Sequence, residues 1–420
     1  MFKDWVFHFC RNSLRLPLGG FVRKIHFNGF ENFPKDKPVL LAGNHPNSFL
    51  DGVVYEHMSG LKMYTLTRGD VFLKPLPNYI FRSMRLRPIF RARDANSEVA
   101  RKGNTQTMDE LYDLFTKNET VLIFSEGSSY PEKAVRRLRK GTGHIAIEMA
   151  KRSDYNLDLH IVPTALNYSK FGSLMQTIHV SFDKPIAIKD YKEAIQKNEK
   201  KVAEQFTNRL QESLENHVVI TKGDFTEEKE FLQELMINEN YRPFTFKSIN
   251  TWELSIAKLN SISESTAEKV RSYMKSLHDF DVDDANVGGR SFDAISVFIA
   301  LFTFGVSLPT YVVWRLIWQF SMSLIDKKIK NVVFHDSLKV GLVMILSLFL
   351  VTGVAIFFFS WFYPLWAILL TAGSIYGGIC WFRLVDLVPY FWKQLAWFGM
   401  KEKDKDELSN QRKEIVKAIT

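Results

Sequence analysis

The sequence predicts an α/β protein: a mixed sheet flanked by helices, followed by a helical region and a C-terminal transmembrane helical hairpin. Three observations predict it. Between Ile25 and Asp190, short apolar runs alternate with stretches of helical periodicity. From Tyr191 to about Gly289, Lys and Glu become frequent and apolar residues recur at helical spacing. Further on, Val340 to Phe359 carries no charge, over a length that crosses a ~30 Å hydrocarbon layer.

Composition narrows the partners. The 420 residues carry 55 Lys and Arg against 46 Asp and Glu, a net +9, which points to an anionic partner: phospholipid head groups, a phosphorylated substrate or nucleic acid. With 35 Phe and 9 Trp weighted toward the C-terminus, a bilayer is favoured and nucleic acid is not expected. Two cysteines, Cys10 and Cys380, make no disulfide framework and suit a reducing compartment.

Taken in order, residues 1–24 mix Trp5, Phe9 and Phe21 with Lys3, Arg11, Arg15 and Arg23. No uninterrupted apolar core or small-residue cleavage site marks a signal peptide. The segment fits an amphipathic helix lying in the head-group layer, or equally a helix packed on the next domain. Residues 25–190 form the α/β domain. Its candidate strands are Val39 to Ala42, Met63 to Thr67, Leu86 to Phe90, Val121 to Phe124, Leu159 to Pro163 and Ile178 to Phe182. Its candidate helices are Gly52 to Ser59, Leu76 to Arg82, Glu98 to Lys117 and Thr142 to Arg152.

The chemistry-bearing residues fall at the ends of these strands, where open α/β sheets place their sites. His45 and Asp51 leave the Val39–Ala42 strand on Asn44-His45-Pro46-Asn47-Ser48-Phe49-Leu50-Asp51. An imidazole that abstracts a hydroxyl proton needs a carboxylate on its other nitrogen to fix the tautomer and stabilise the imidazolium. A histidine this close to an aspartate also occurs by chance, so the pair gains weight only from its company. That company is Pro88-Ile89-Phe90-Arg91, Phe124-Ser125-Glu126-Gly127 and Ile161-Val162-Pro163-Thr164.

In this order and separation the four blocks resemble those of the glycerolipid acyltransferases, the family of 1-acylglycerol-3-phosphate and glycerol-3-phosphate acyltransferases, over roughly residues 25–190. The resemblance implies His45 as base and Asp51 as its partner, Arg91 as a phosphate contact, and Glu126 with Gly127 and Ser128 as acceptor contacts. A guanidinium suits phosphate because its planar fork donates two parallel bonds. Lys140-Gly141 resembles the Lys-Gly that trails the third block, within a basic cluster that reads as a phosphate or head-group contact surface or, equally, as a charged helix face. The fourth block corresponds to the acyl side of the site, or to plain core.

Two departures stand out. Ser125 replaces the usual Pro, and Ser129 stands where many members carry Arg. In addition, five residues separate His45 from Asp51 where four are common. On a regular helix that shift swings the carboxylate by about 100°, so the pair needs an extra turn or bulge. The longer spacing, with an Asn two places after the His as in Asn47, resembles the glycerol-3-phosphate side of the family.

The remaining histidines have no ligand spacing, and no metal site is expected. Residues 191–289 read as a helical extension, with the acidic stretch Asp279 to Gly289 as a solvated linker that lacks the closing Glu of a calcium loop. Residues 290–420 form the membrane region. Two transmembrane helices are expected, about 340–359 and 365–382, with both ends cytoplasmic because Lys327, Lys328, Lys330 and Lys339 precede them and Arg383, Lys393 and Lys401 follow. A third apolar segment, about 294–314, contains Gly305 and Pro309 and reads as re-entrant or in-plane, or as a further span. The whole implies an integral membrane O-acyltransferase with its catalytic domain on the cytoplasmic face. It would need no cofactor beyond acyl-CoA or acyl carrier protein as co-substrate, and would act on a glycerol-phosphate or lysolipid acceptor.

Overall fold

The structure is a computed structural model that describes residues 2–14, 18–19, 21–59, 62–91, 96–173, 175–239, 247–249, 253–288, 294–331, 334–361, 364–365, 368–369, 372–373 and 392–419. The chain divides into two units. One comprises Met1–Asn12, Phe27–Asn167 and His179–Ile220, and the other Ser13–His26, Tyr168–Ile178 and Thr221–Thr420.

The elements in order are α1 (Phe2–Ser13), β1 (Val22–Asn28), β2 (Val39–Gly43), α2 (Phe49–Ser59), β3 (Met63–Arg68), α3 (Pro75–Ser83), β4 (Leu86–Ile89), α4 (Ser97–Phe115), β5 (Thr120–Phe124), α5 (Gly141–Arg152), β6 (His160–Tyr168), β7 (Gln176–Phe182), β8 (Ile186–Ala187) and α6 (Lys192–His217). In the first unit the strand order is β4-β3-β5-β2-β6-β7, with β8 on β6. Pairs β2/β5, β2/β6, β3/β4 and β3/β5 are parallel and β6/β8 is antiparallel, so the sheet is mixed as expected.

The central strands read as unbroken apolar runs because a parallel sheet is covered on both faces. Val39, Leu40, Leu41 and Ala42 are fully buried. On the face of Leu40 and Ala42 pack Leu111 and Phe115 of α4, Ile145, Ile147 and Met149 of α5, and Phe206 and Leu210 of α6. Each such side chain removed from water contributes about 1.5–3 kcal/mol. Helices α5 and α6 meet at Gly143, where an added Cβ would lie 3.0 Å from the Ala203 carbonyl oxygen.

Two sequence readings are revised here. Residues 1–24 are not one helix: α1 stops at Ser13 and β1 begins at Val22, with Pro17, Gly19 and Gly20 in the sequence between them. In α1, Phe7 is buried beneath the Arg85 guanidinium (3.9 Å to the ring centroid), while the stacked rings of Trp5 and Phe9 are exposed. The fourth block is strand interior, because β6 continues past Pro163 to Tyr168 and the Pro163 carbonyl accepts from the Asp183 N–H (3.0 Å).

The second unit continues with α7 (Thr226–Glu239), β9 (Lys247–Ile249), α8 (Glu253–Asn260), α9 (Glu264–Asp279), α10 (Asp284–Val287), α11 (Ala294–Lys328), α12 (His335–Trp361) and α13 (Glu402–Ile419). The acidic stretch that begins at the end of α9 is exposed at Asp279, Asp281 and Asp283, as expected of a solvated linker, but is anchored at Asp284. Asp284 is buried and accepts from Arg412 Nε (2.9 Å) and Tyr273 Oη (3.0 Å). The apolar segment 294–314 is the first part of the single long helix α11. That helix packs against α12 through Trp314 and Val343, with Met175 beside them. Both helices turn large apolar residues outward, among them Leu301, Phe304, Leu316, Phe349 and Trp361. By length and composition α12 is long and apolar enough to cross a membrane, at 27 residues, about 40 Å of helix. It contains the expected 340–359 span; the expected 365–382 span lies outside the described residues but for five positions.

Immediately after β4, Phe90 is gripped on three sides. The Asn104 carboxamide accepts from its N–H (2.8 Å) and donates to its carbonyl (2.9 Å), and its ring lies against Gly69 and Gly103. A Cβ on Gly103 would sit 2.4 Å from the ring, and one on Gly69 2.3 Å, so the ring has nowhere to retreat. Gly103→Ala is expected to destabilise the protein by about 1–3 kcal/mol in denaturant unfolding. Gly141→Ala, where nothing lies within 4 Å, should stay within about 1 kcal/mol of wild type.

Candidate active site

Parallel register brings two loops together. β2 pairs with β5 so that Gly43 lies beside Phe124, and with β6 so that Gly43 also lies beside Thr164. The chain after Gly43 and the chain after Phe124 therefore leave the sheet at one level. Asn44 locks the first of them, its carboxamide donating to the Leu166 carbonyl (3.0 Å) and accepting from the Leu166 N–H (2.8 Å). The second is tied back by the Ser125 N–H to the Gly43 carbonyl (2.9 Å).

His45 lies flat on Phe124, with ring centroids 3.9 Å apart and planes 8° from parallel. Its Nδ1 is 2.8 Å from Asp51 Oδ2, and Asp51 is fully buried. The same carboxylate oxygen accepts the Asn47 N–H (2.8 Å). Because a neutral imidazole that donates from Nδ1 carries its lone pair on Nε2, this arrangement leaves Nε2 as the basic atom. The His45 side chain is 19% exposed, so that atom is neither sealed in the core nor freely hydrated.

The extra residue in the His–Asp spacing is absorbed in the backbone. Ser48 has φ 52°, and a tight turn follows in which Leu50 N–H bonds the Asn47 carbonyl (3.1 Å) and Asp51 N–H the Ser48 carbonyl (3.3 Å). Asp51 thus falls in the first turn of α2, where the helix dipole favours a carboxylate.

Glu126 is buried, and its carboxylate accepts backbone N–H bonds from His45 and Arg136. Burial, with Asp51 nearby, pushes its pKa up to about 7 against the opposing pull of those N–H groups and the Arg136 charge. Gly127 takes φ 69°, a conformation that glycine adopts without strain. Its carbonyl accepts from Arg91 Nη1 (2.9 Å) and from the Ser128 hydroxyl (2.8 Å).

The fold therefore brings together two hydrogen-bonded groups, His45 with Asp51, the Asn47 backbone and Glu126, and Gly127 with Ser128 and Arg91, joined through the Glu126–Gly127 peptide. Lys140 stands outside these contacts, exposed and paired with Glu204 of α6 at 3.3 Å. Sequence reasoning missed Phe124 as the platform for His45, and Ser129 and Tyr130 as ties to its loop. The Ser48 N–H donates to Ser129 Oγ (2.7 Å) and the Tyr130 N–H to the His45 carbonyl (3.2 Å). Only the β2–β5 pairing reveals these contacts. Among the described residues no three His, Cys, Asp or Glu side chains converge as metal ligands do.

Glu126 has a thermodynamic consequence. Its folded pKa lies above the ordinary carboxylate value of 4.5, so its favourable contribution is complete below that value and is lost as pH rises through about 7. Glu56, also raised to about 7 by burial, acts in the same direction. Thermal melts should show Tm declining between about pH 5 and pH 8, with a shallower decline in Glu126→Gln; an unchanged slope in that variant refutes the assignment.

No curated protein matches the chain. Among solved structures it is similar to the 1-acyl-sn-glycerophosphate (LPA) acyltransferase PlsC from Thermotoga maritima, with 17% identity over 44% of this chain and 72% of that one, at a TM-score of 0.30. Residues 24–167 match the family model described as Acyltransferase. That segment, which contains the His45–Asp51 pair, Arg91 and the loop from Phe124 to Tyr130, is the part of the chain that is similar to the acyltransferase family.

Proposed function

We propose that the protein is a membrane-bound O-acyltransferase of phospholipid synthesis. It moves a fatty acyl group from a thioester of coenzyme A or acyl carrier protein to a hydroxyl of 1-acylglycerol 3-phosphate or glycerol 3-phosphate. The observation that carries this reading is His45 stacked on Phe124, with Nδ1 on buried Asp51 and Nε2 as the basic atom.

In the reaction, Nε2 takes the acceptor hydroxyl proton as the oxygen attacks the thioester carbonyl carbon. The tetrahedral intermediate collapses by breaking the carbon–sulfur bond, and the imidazolium returns the proton to the departing thiolate. Asp51 stabilises the imidazolium throughout. Arg91, its plane fixed by the Gly127 carbonyl, serves as the phosphate contact, and the loop from Glu126 to Ser128 lines the acceptor. Lys140, sharing its charge with Glu204, acts at longer range on the anionic acceptor. Long acyl chains partition into lipid at about 0.8 kcal/mol per methylene, which is why a helix such as α12 belongs on this enzyme. The lysines around the α11–α12 connection support a cytoplasmic catalytic domain.

A second reading has one observation in its favour. Ser129 occupies a place where an arginine would add positive charge, and its hydroxyl bonds the Ser48 amide. A lysolipid with less anionic charge, such as an amino-acid-containing lipid, suits that lower charge. Purified protein assayed against glycerol 3-phosphate, lysophosphatidate and lyso-aminolipids separates the two, the preferred acceptor being the one with the highest kcat/KM.

His45→Ala should lower kcat by about 100-fold or more in protein that remains folded, the loss expected of a general base. Near-normal transfer in that variant overturns the assignment.

A further inference from the structure

The His45–Asp51 spacing and the residue type at position 129 are linked. Five intervening residues return the carboxylate to the imidazole only because Ser48 adopts a left-handed backbone, φ 52°. An L-residue with a Cβ disfavours that conformation. Ser48 is also 6% exposed, and a buried N–H in such a place needs an acceptor. Ser129 Oγ supplies it at 2.7 Å from the opposing loop. One residue further on, the Tyr130 N–H holds the His45 carbonyl, so the two loops are pinned at both ends of the turn. An arginine at 129 could not do this, because a guanidinium only donates.

We propose that Ser129 is a positioning residue for catalysis. By capping the Ser48 amide it holds the left-handed turn that brings Asp51 to His45. The inference rests on the acyl-transfer reading above and goes one step further, to a residue that touches neither substrate nor the imidazole.

The test uses full-length protein in detergent or nanodiscs: wild type, Ser129→Ala, Ser129→Thr, Ser48→Gly and the Ser48→Gly/Ser129→Ala double variant. Ser129→Ala should lower kcat about tenfold, the effect of one lost hydrogen bond at a strained turn, with KM for donor and acceptor shifted less than about twofold. Ser129→Thr, which keeps the oxygen, should restore most of the rate. On the Ser48→Gly background the left-handed turn carries no penalty, so alanine at 129 should lower kcat by less than about threefold. The low-field proton NMR resonance of His45 Nδ1–H gives a readout independent of turnover. It should be present in wild type, lost in Ser129→Ala and regained in the double variant. An equal kcat loss in both backgrounds, or a resonance unaffected by Ser129→Ala, overturns the proposal. If His45→Ala retains activity, the acyl-transfer reading is what fails, and the resonance still decides the role of Ser129.

Discussion

The site depends on a register. Placing Gly43 level with Phe124 on one side and Thr164 on the other fixes where two loops emerge. The stacking of His45 on Phe124 and the Ser48–Ser129 and His45–Tyr130 bonds join those loops. A slip in a parallel pair would leave both strands equally buried yet carry Phe124 away from His45. The central strands are apolar throughout, so burial alone specifies their register weakly. Side chains supply what burial does not.

Asparagine does much of that work. Asn44 brackets the N–H and carbonyl of Leu166, and Asn104 those of Phe90. Asn167 links the His217 carbonyl (2.8 Å) and the Val219 N–H (2.7 Å). For Leu166 and Phe90 one carboxamide mimics a missing strand neighbour and satisfies backbone groups where the regular ladder ends, and Asn167 does the same for the backbone leaving the C-terminus of α6. Tyr55 adds a further fixed point, its hydroxyl 2.9 Å from Thr164 Oγ1, tying the helix that carries Asp51 to β6.

Much of this was legible in the sequence, and the rest was hidden for physical reasons. The runs at Val39, Val121 and Ile161 announce strands because a sheet covered on both faces needs them, and the His45, Arg91 and Glu126 blocks follow at their ends. Chain order cannot say which strands pair, so the stacking on Phe124 and the bond to Ser129 were invisible. The spacing argument identified the need for an added turn but not Ser48 as the residue that makes it. Asp284 looked solvated because its ion-pair partner, Arg412, lies far along the chain. The Lys140 contact with Glu204 depends on how α5 meets α6, which no local pattern encodes.

The flat seat of His45 on Phe124 limits how the ring can move. Turning the imidazole over would keep the ring on Phe124 but sever the Nδ1 bond to Asp51, so that bond selects one of the two stacked orientations. Under the acyl-transfer reading proposed above, a proton captured at the outward nitrogen departs through the same opening by which it arrived. On that reading donor and acceptor share a single approach, with the leaving sulfur next to the oxygen that replaces it.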